Sequence, residues 1–156
     1  NASNNNELEL RAIFMLNQLN TPEVGPLESI EHLKKLIELS AYNLLMLHDK
    51  EIVGFIICMR EGSRYGSENY KFFKKRLKKF LYVDRVAIDE SHRRSGLGKL
   101  IYEDIFVHAN NENLPIALEV NTQPLNQPSL NFHEKMGFEK IGCRDFNDHS
   151  VAYFLK

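Results

Sequence analysis

A mixed α/β fold, with one parallel strand pair set in an otherwise antiparallel sheet, is what this 156-residue sequence predicts. Three observations carry the prediction. An apolar stretch from Tyr82 to Ile88, an amphipathic stretch from Leu97 to Ala109 and an alternating stretch from Pro115 to Asn121 follow one another. Strand, helix and strand in that order imply a right-handed crossover between parallel neighbours. Asn43 to Leu47 and Ile52 to Met59, joined by the short turn His48 to Glu51, read as an antiparallel hairpin. Phe138 to Cys143 and Val151 to Leu155 read as two closing strands.

Each remaining element has its own signal. Leu10, Ile13 and Phe14 recur at helical spacing within Glu7 to Asn20, and Ile30, Leu33, Leu36 and Ile37 do so within Leu27 to Leu39, so two helices precede the hairpin. Glu61 to Lys79 interrupts the sheet with a Gly/Ser-rich loop and a short helical segment whose Phe72, Phe73 and Leu77 face inward. The strand Tyr82 to Ile88 breaks its own alternation: Leu81 and Val83 point to one face, Val86 and Ile88 to the other. A β-bulge near Asp84 and Arg85 would repair it. The following helix carries the stripe Leu97, Leu100, Ile101, Ile105 and Ala109. Ile116, Leu118 and Val120 share one face of the next strand, opposite Ala117, Glu119 and Asn121. A Pro-rich turn, Thr122 to Pro128, leads into a helix ending at Lys135. Residues 7–156 read as one domain, and the polar residues 1–6 as a disordered or artificially appended start.

Composition excludes several classes. At 43% hydrophobic and 26% charged the chain is ordinary globular material, and a formal net charge of −1 carries no global bias toward nucleic acid or anionic membranes. No apolar run is long enough to span a bilayer and no signal-peptide pattern is present, so a cytoplasmic protein is expected. Cys58 and Cys143 form neither a metal-ligand spacing nor a disulfide framework. Both are expected to be small core residues, and no metal is expected.

The chemistry begins at Arg93, Arg94, Ser95, Gly96, Leu97 and Gly98, between a strand and a helix. Glycines let successive backbone N–H groups converge, and the helix adds its positive N-terminal pole, so the run reads as an anion cradle. Two arginines there oppose that pole unless a phosphate-like group pairs with them. The plainer alternative is a strand-to-helix turn with two solvated arginines. A nucleoside triphosphate loop is disfavoured because Lys99 and Leu100 follow Gly98, and a dinucleotide loop because Ile101 stands where a third glycine belongs.

Arg93, Gly96 and Gly98 resemble the pyrophosphate loop of the GNAT superfamily of acetyl-CoA-dependent N-acetyltransferases. Asn126, Ser129, Phe132, His133, Met136, Gly137 and Phe138 resemble that superfamily's second motif. The resemblance implies a twisted sheet with a splayed parallel pair and helices on both faces. It also implies an acetyl-CoA site formed by the main chain of Val86, Ala87 and Ile88, by Arg93 to Lys99, and by Asn126, Ser129 and Phe132. Direct acetyl transfer within a ternary complex follows from it, to a primary amine of a small molecule or peptide. Superfamily members often dimerise, so a homodimer is a further expectation.

Such a reaction needs a base for the amine, a donor for the thioester carbonyl and a proton for the departing thiolate. Glu119 is the leading base, because a carboxylate inside an apolar strand must be paired, hydrogen-bonded or functional. Its structural alternative is a tie to Arg85 or to a neighbouring strand's backbone. Asp84 is the rival base, although an Asp beside an Arg commonly forms a structural ion pair. The Val86 N–H is the expected carbonyl donor. His133 occupies the position where many superfamily members place a tyrosine acid; an imidazole must be charged to donate, so activity through it would weaken as pH rises. Asn126 would bond the pantetheine arm or simply cap its helix.

Arg64 to Lys79 carries Arg64, Lys71, Lys74, Lys75, Arg76, Lys78 and Lys79 against Glu68 alone, interleaved with aromatic residues. A nucleic-acid surface is one reading, but a solvated basic face over an apolar one is the better one, and no nucleic-acid partner is expected. This insertion resembles one found in an uncharacterised, bacterial-type branch of predicted GNAT acetyltransferases, together with the strand Tyr82 to Val86. It is expected to cover the acceptor side, with Tyr65, Ser67, Asn69, Phe73 and Tyr82 as acceptor contacts. A non-catalytic acyl-CoA-binding module is the alternative to an enzyme.

Overall fold

Capping and periodicity set the helices of the computed structural model, which describes residues 7–156; the expectation for residues 1–6 lies outside the described residues. Helix α1 (Glu7–Leu19) buries Leu10, Ile13 and Leu16. Helix α2 (Ile30–Leu39) starts later than expected because Ser29, in an extended conformation, accepts a hydrogen bond from the His32 N–H at 3.1 Å and fixes the first turn there. The hairpin β1 (Tyr42–His48) and β2 (Glu51–Arg60) follows, then the short α3 (Glu68–Lys74) inside the basic insertion. Strand β3 (Leu81–Ile88), helix α4 (Leu97–Glu112) and strand β4 (Ile116–Gln123) form the crossover unit. Helix α5 (Gln127–Lys135) and strands β5 (Glu139–Asp145) and β6 (Ser150–Leu155) complete the chain.

The sheet runs β1-β2-β3-β4-β6-β5, with β3 and β4 parallel and every other pair antiparallel. Two apolar layers sandwich it. One gathers Leu10, Ile13, Leu33 and Leu36 of the first two helices with Phe55, Ile57, Tyr82, Ala117 and Tyr153 of the sheet and Tyr70 and Phe73 of α3. The other packs Ile101, Tyr102 and Ile105 of α4, with Leu130 and Phe132 of α5, against Ile56, Cys58, Leu81, Val83, Leu118 and Val120.

Hydrogen-bond direction establishes the bulge in β3. Leu81 donates its N–H to Pro115 at 2.9 Å, toward β4, whereas Asp89 donates to Val53 at 2.8 Å, toward β2. Positions of equal parity in a regular strand point to the same edge, so one residue has been inserted between them. That residue is Asp84: Ile57 pairs with Arg85 and Cys58 with Val83, leaving Asp84 without a partner across the ladder. The insertion also puts Leu81, Val83, Val86 and Ile88 on one face, which resolves the broken alternation. β3 and β4 pair only at Leu81–Ile116 and Tyr82–Ala117; beyond that point they part.

Two expectations about packing require correction, and a third gains a residue. Cys143 is exposed on the edge strand β5, while Cys58 is buried as expected. Leu100 is 55% exposed and does not belong to the α4 stripe, whose fourth buried residue is Tyr102 beside Ile101, Ile105 and Ala109. In the insertion, Phe73 is joined in the core by Tyr70, whose hydroxyl donates to the Arg60 carbonyl at 2.7 Å. Among the described residues, no helix is long and apolar enough to cross a membrane.

Candidate active site

The divergence of β3 and β4 opens a cleft of about 980 Å³ through the sheet. Its floor holds Glu119 and the outer part of β3; the α1–α2 loop from Pro22 to Pro26 and Asn69 wall one side, and the start of α4 with Asn126, Ser129 and Phe132 walls the other. Because N–H groups alternate along a strand, the Asp89 bond toward β2 places the Ala87 main chain on that edge too, and turns Val86 and Ile88 toward the opening. Val86 and Ile88 line the cleft. Ala87 does not: its main chain faces β2, and its side chain is 2% exposed in the first apolar layer.

At the donor end the chain enters α4 through Arg94 at φ 63° and Gly96 at φ 83°. The second value lies in the left-handed region that glycine alone adopts without strain. No side chain caps α4, so the N–H groups of its first turn stay available to an anion. Gly98 packs closely beneath them, where a Cβ would meet Ile88 at 3.4 Å and Phe132 at 3.6 Å. Arg94 and Lys99 line the cleft; Ser95, which donates to the His92 carbonyl, and Leu97 do not. Arg93 reaches across to Asn20 at the end of α1, at 2.8 Å. Asn126 is the N-cap of α5, its side chain accepting from the Ser129 N–H at 3.3 Å, which leaves its amide NH₂ for other partners.

Glu119 is held at the centre. Its carboxylate accepts from the Tyr82 hydroxyl at 2.9 and 2.8 Å and from the Asn69 amide at 3.2 Å. Asn69 is itself oriented by the Tyr153 hydroxyl at 2.8 Å, and Tyr82 is wedged between Tyr70 and Phe73. Among the described residues no cation is bonded to the group, and the alternative tie to Arg85 is not made, since that guanidinium serves Asp84, Asn17 and Gly25. Burial raises its pKa from 4.5 to about 8, and the Asp84 charge adds to the rise; the hydrogen bonds from Tyr82 and Asn69 oppose it. Glu119 is thus poised near neutrality, as a general base requires.

Asp84 is differently occupied. Arg85 donates to it at 2.8 Å with side chains only 7% and 4% exposed, and the Tyr65 hydroxyl donates at 2.6 Å. A carboxylate so committed cannot readily take a proton from an amine, so the geometry withdraws Asp84 as a base. His133 needs the same correction as an acid. It is 5% exposed, with Nδ1 at 2.7 Å from the Ser129 carbonyl and Nε2 at 2.7 Å from the Tyr102 hydroxyl. A carbonyl only accepts, so Nδ1 carries the ring proton and Nε2 accepts from Tyr102. Burial lowers the His133 pKa further, which keeps the ring neutral with no proton aimed at the cleft.

Of the expected acceptor contacts, Asn69 alone lines the cleft. Ser67 caps α3 by accepting from the Tyr70 N–H, Tyr65 serves Asp84, Tyr82 serves Glu119, and Phe73 is fully buried in the core. The cleft is lined instead by Pro22 to Pro26 and by Asp148 and His149 between β5 and β6. Two prolines and a glycine mark the first of these as a loop, but nothing local in the sequence brings it to β3. Tyr102 was also missed, its polar end hidden in an apolar stripe. Among the described residues, no group of His, Cys, Asp and Glu could hold a metal ion.

The model of the acetyltransferase (GNAT) family matches residues 10–138. No curated protein sequence matches the chain. Similar solved structures include the ribosomal-protein-S18-alanine N-acetyltransferase of Escherichia coli, at TM-score 0.72 and 14% identity over 98% of this chain and 90% of that one. An aminoglycoside 6'-N-acetyltransferase complexed with coenzyme A matches at TM-score 0.74 and 15% identity, covering 99% and 93% of the two chains. Naa50 of Arabidopsis thaliana, in complex with the bisubstrate analogue CoA-Ac-MVNAL, matches at 0.72 and 18% identity over 97% and 94%.

Proposed function

The chain belongs to the GNAT acetyltransferase family, and on that premise we propose that it transfers an acetyl group from acetyl-CoA to a primary amine of a small molecule or peptide, directly within a ternary complex. The observation that carries this reading is the Glu119 carboxyl, hydrogen-bonded and desolvated on the cleft floor where β3 and β4 part. Uncapped first-turn amides of α4, with Arg94 and Lys99 beside them, suit a pyrophosphate, and the free NH₂ of Asn126 suits an amide carbonyl of the pantetheine arm. Acetyl-CoA bound there would supply the thioester as an activated acyl group. Glu119 takes the ammonium proton, directly or through water, and the Val86 N–H turned toward the opening stabilises the charge that develops on the carbonyl oxygen; as the C–N bond forms and the C–S bond breaks, the second proton leaves the nitrogen and passes through solvent to the departing thiolate. Neither His133 nor Cys58 has a part: the first holds no available proton, and the second is buried with its thiol pKa raised.

Base catalysis fixes the sign of the pH dependence. Below about pH 8 Glu119 holds a proton and cannot act, so kcat/KM should climb through that value as pH rises. An acid role for His133 demands the opposite slope, so a pH profile of the parent separates the two. The activity is tested by thiol release from acetyl-CoA over amino acids, polyamines, aminoglycosides and short peptides. CoA binding without release on any amine would leave the non-catalytic module as the reading.

A further inference from the structure

Arg85 is a buried cation that the reaction above does not use, and its partners span the site. From the bulge in β3 its guanidinium donates to Asp84 at 2.8 Å, to the Asn17 side chain on α1 at 3.0 Å and to the Gly25 carbonyl in the α1–α2 loop at 3.2 Å. Asn17 grips the same carbonyl from its own amide at 3.1 Å. The loop so fastened, Pro22 to Pro26, lines the cleft on the side of Asn69, away from Asn126 and Phe132, and is read as the acceptor wall. We propose that Arg85 is a positioning residue for the acceptor half of the site: it ties the α1–α2 loop to the bulge and partly offsets the Asp84 charge that bears on Glu119. This inference rests on Glu119 being the base.

The electrostatic half follows from what faces Glu119. Tyr82 and Asp84 approach it from β3, Asn69 from α3, Tyr153 from β6 and Tyr102 from α4. Asp84 is the one formal charge among them, and it raises the proton affinity of Glu119. Arg85 is bonded to Asp84 and offsets it. Loss of the cation leaves an uncompensated carboxylate near the base. The mechanical half follows from the bonds to Asn17 and Gly25, whose removal frees the stretch around Gly25, while the Arg93–Asn20 bond at the end of α1 still braces the entry to α4.

Arg85→Gln should therefore raise the acceptor KM about tenfold, as expected for losing charge-assisted hydrogen bonds, and leave CoA affinity by calorimetry unchanged. Its kcat–pH limb should move alkaline by about one unit. The double variant Asp84→Asn/Arg85→Gln, which removes both charges, should return the limb toward the parent while KM stays high. Arg85→Lys, which keeps the charge without the fork, should hold the limb and lose only part of KM. Amide exchange of residues 22–26 should quicken in Arg85→Gln whether or not turnover is measurable, which keeps this proposal separate from the activity itself. An unmoved limb with unchanged KM and exchange overturns it, as does a limb that the double variant fails to restore.

Discussion

Glu119→Gln should lower kcat by about 100- to 10,000-fold while CoA affinity stays at the parent level, because the amide keeps the shape and the Tyr82 hydrogen bond but cannot accept a proton from an ammonium. Steady-state thiol release paired with calorimetry of CoA measures both. A variant that keeps most of its kcat would remove Glu119 from the mechanism. Stability gives a second, independent readout. Folding raises the pKa of Glu119 from 4.5 to about 8, so its favourable contribution is complete below pH 4.5 and is lost as pH rises through about 8. The glutamine variant has no such loss. Urea midpoints at pH 5 and pH 9 should therefore show the variant gaining on the parent at the alkaline end.

The second large effect is on stability alone. Phe73→Ala should cost about 3–5 kcal/mol, because this side chain is fully buried between Tyr82, Phe80, Phe72 and Tyr153, and the void cannot collapse against a sheet on one side and a helix on the other. Denaturant midpoints check it. The same substitution would raise only the acceptor KM if Phe73 touched acceptor, so a parent-like midpoint with a raised KM would return it to the cleft wall. The fall in stability should also loosen Glu119, since Phe73 braces Tyr82 and Tyr82 holds the carboxyl.

Residues whose role is local could be read from the chain. The bulge was visible as a conflict of parity around Asp84, because a strand's two faces are set by counting. The cradle was visible because Gly96 is needed where φ is positive, and Asn126 because caps have a short signature. Glu119 stood out as a carboxylate in an apolar strand. His133 and the basic insertion misled for a common reason: a histidine's proton and an aromatic's exposure belong to the neighbours, here Ser129, Tyr102 and Tyr153, that folding supplies.

Legible in the chain alone are the order and type of the elements, the resemblance to the family, the glycine-bearing turn before α4 and a carboxylate set inside an apolar strand. Periodicity, capping and glycine placement act within a few residues of chain and need no partner. Tertiary structure alone decided which charges are free. Arg85 is spent on Asp84, Asn17 and Gly25 rather than on Glu119; His133 is spent on Tyr102 and Ser129; and the loop around Gly25, some sixty residues from Arg85 along the chain, lines the cleft. Desolvation and hydrogen-bond pairing depend on what lies within a few ångströms in space, and those pairings leave the Glu119 carboxyl buried on the cleft floor, held by Tyr82 and Asn69.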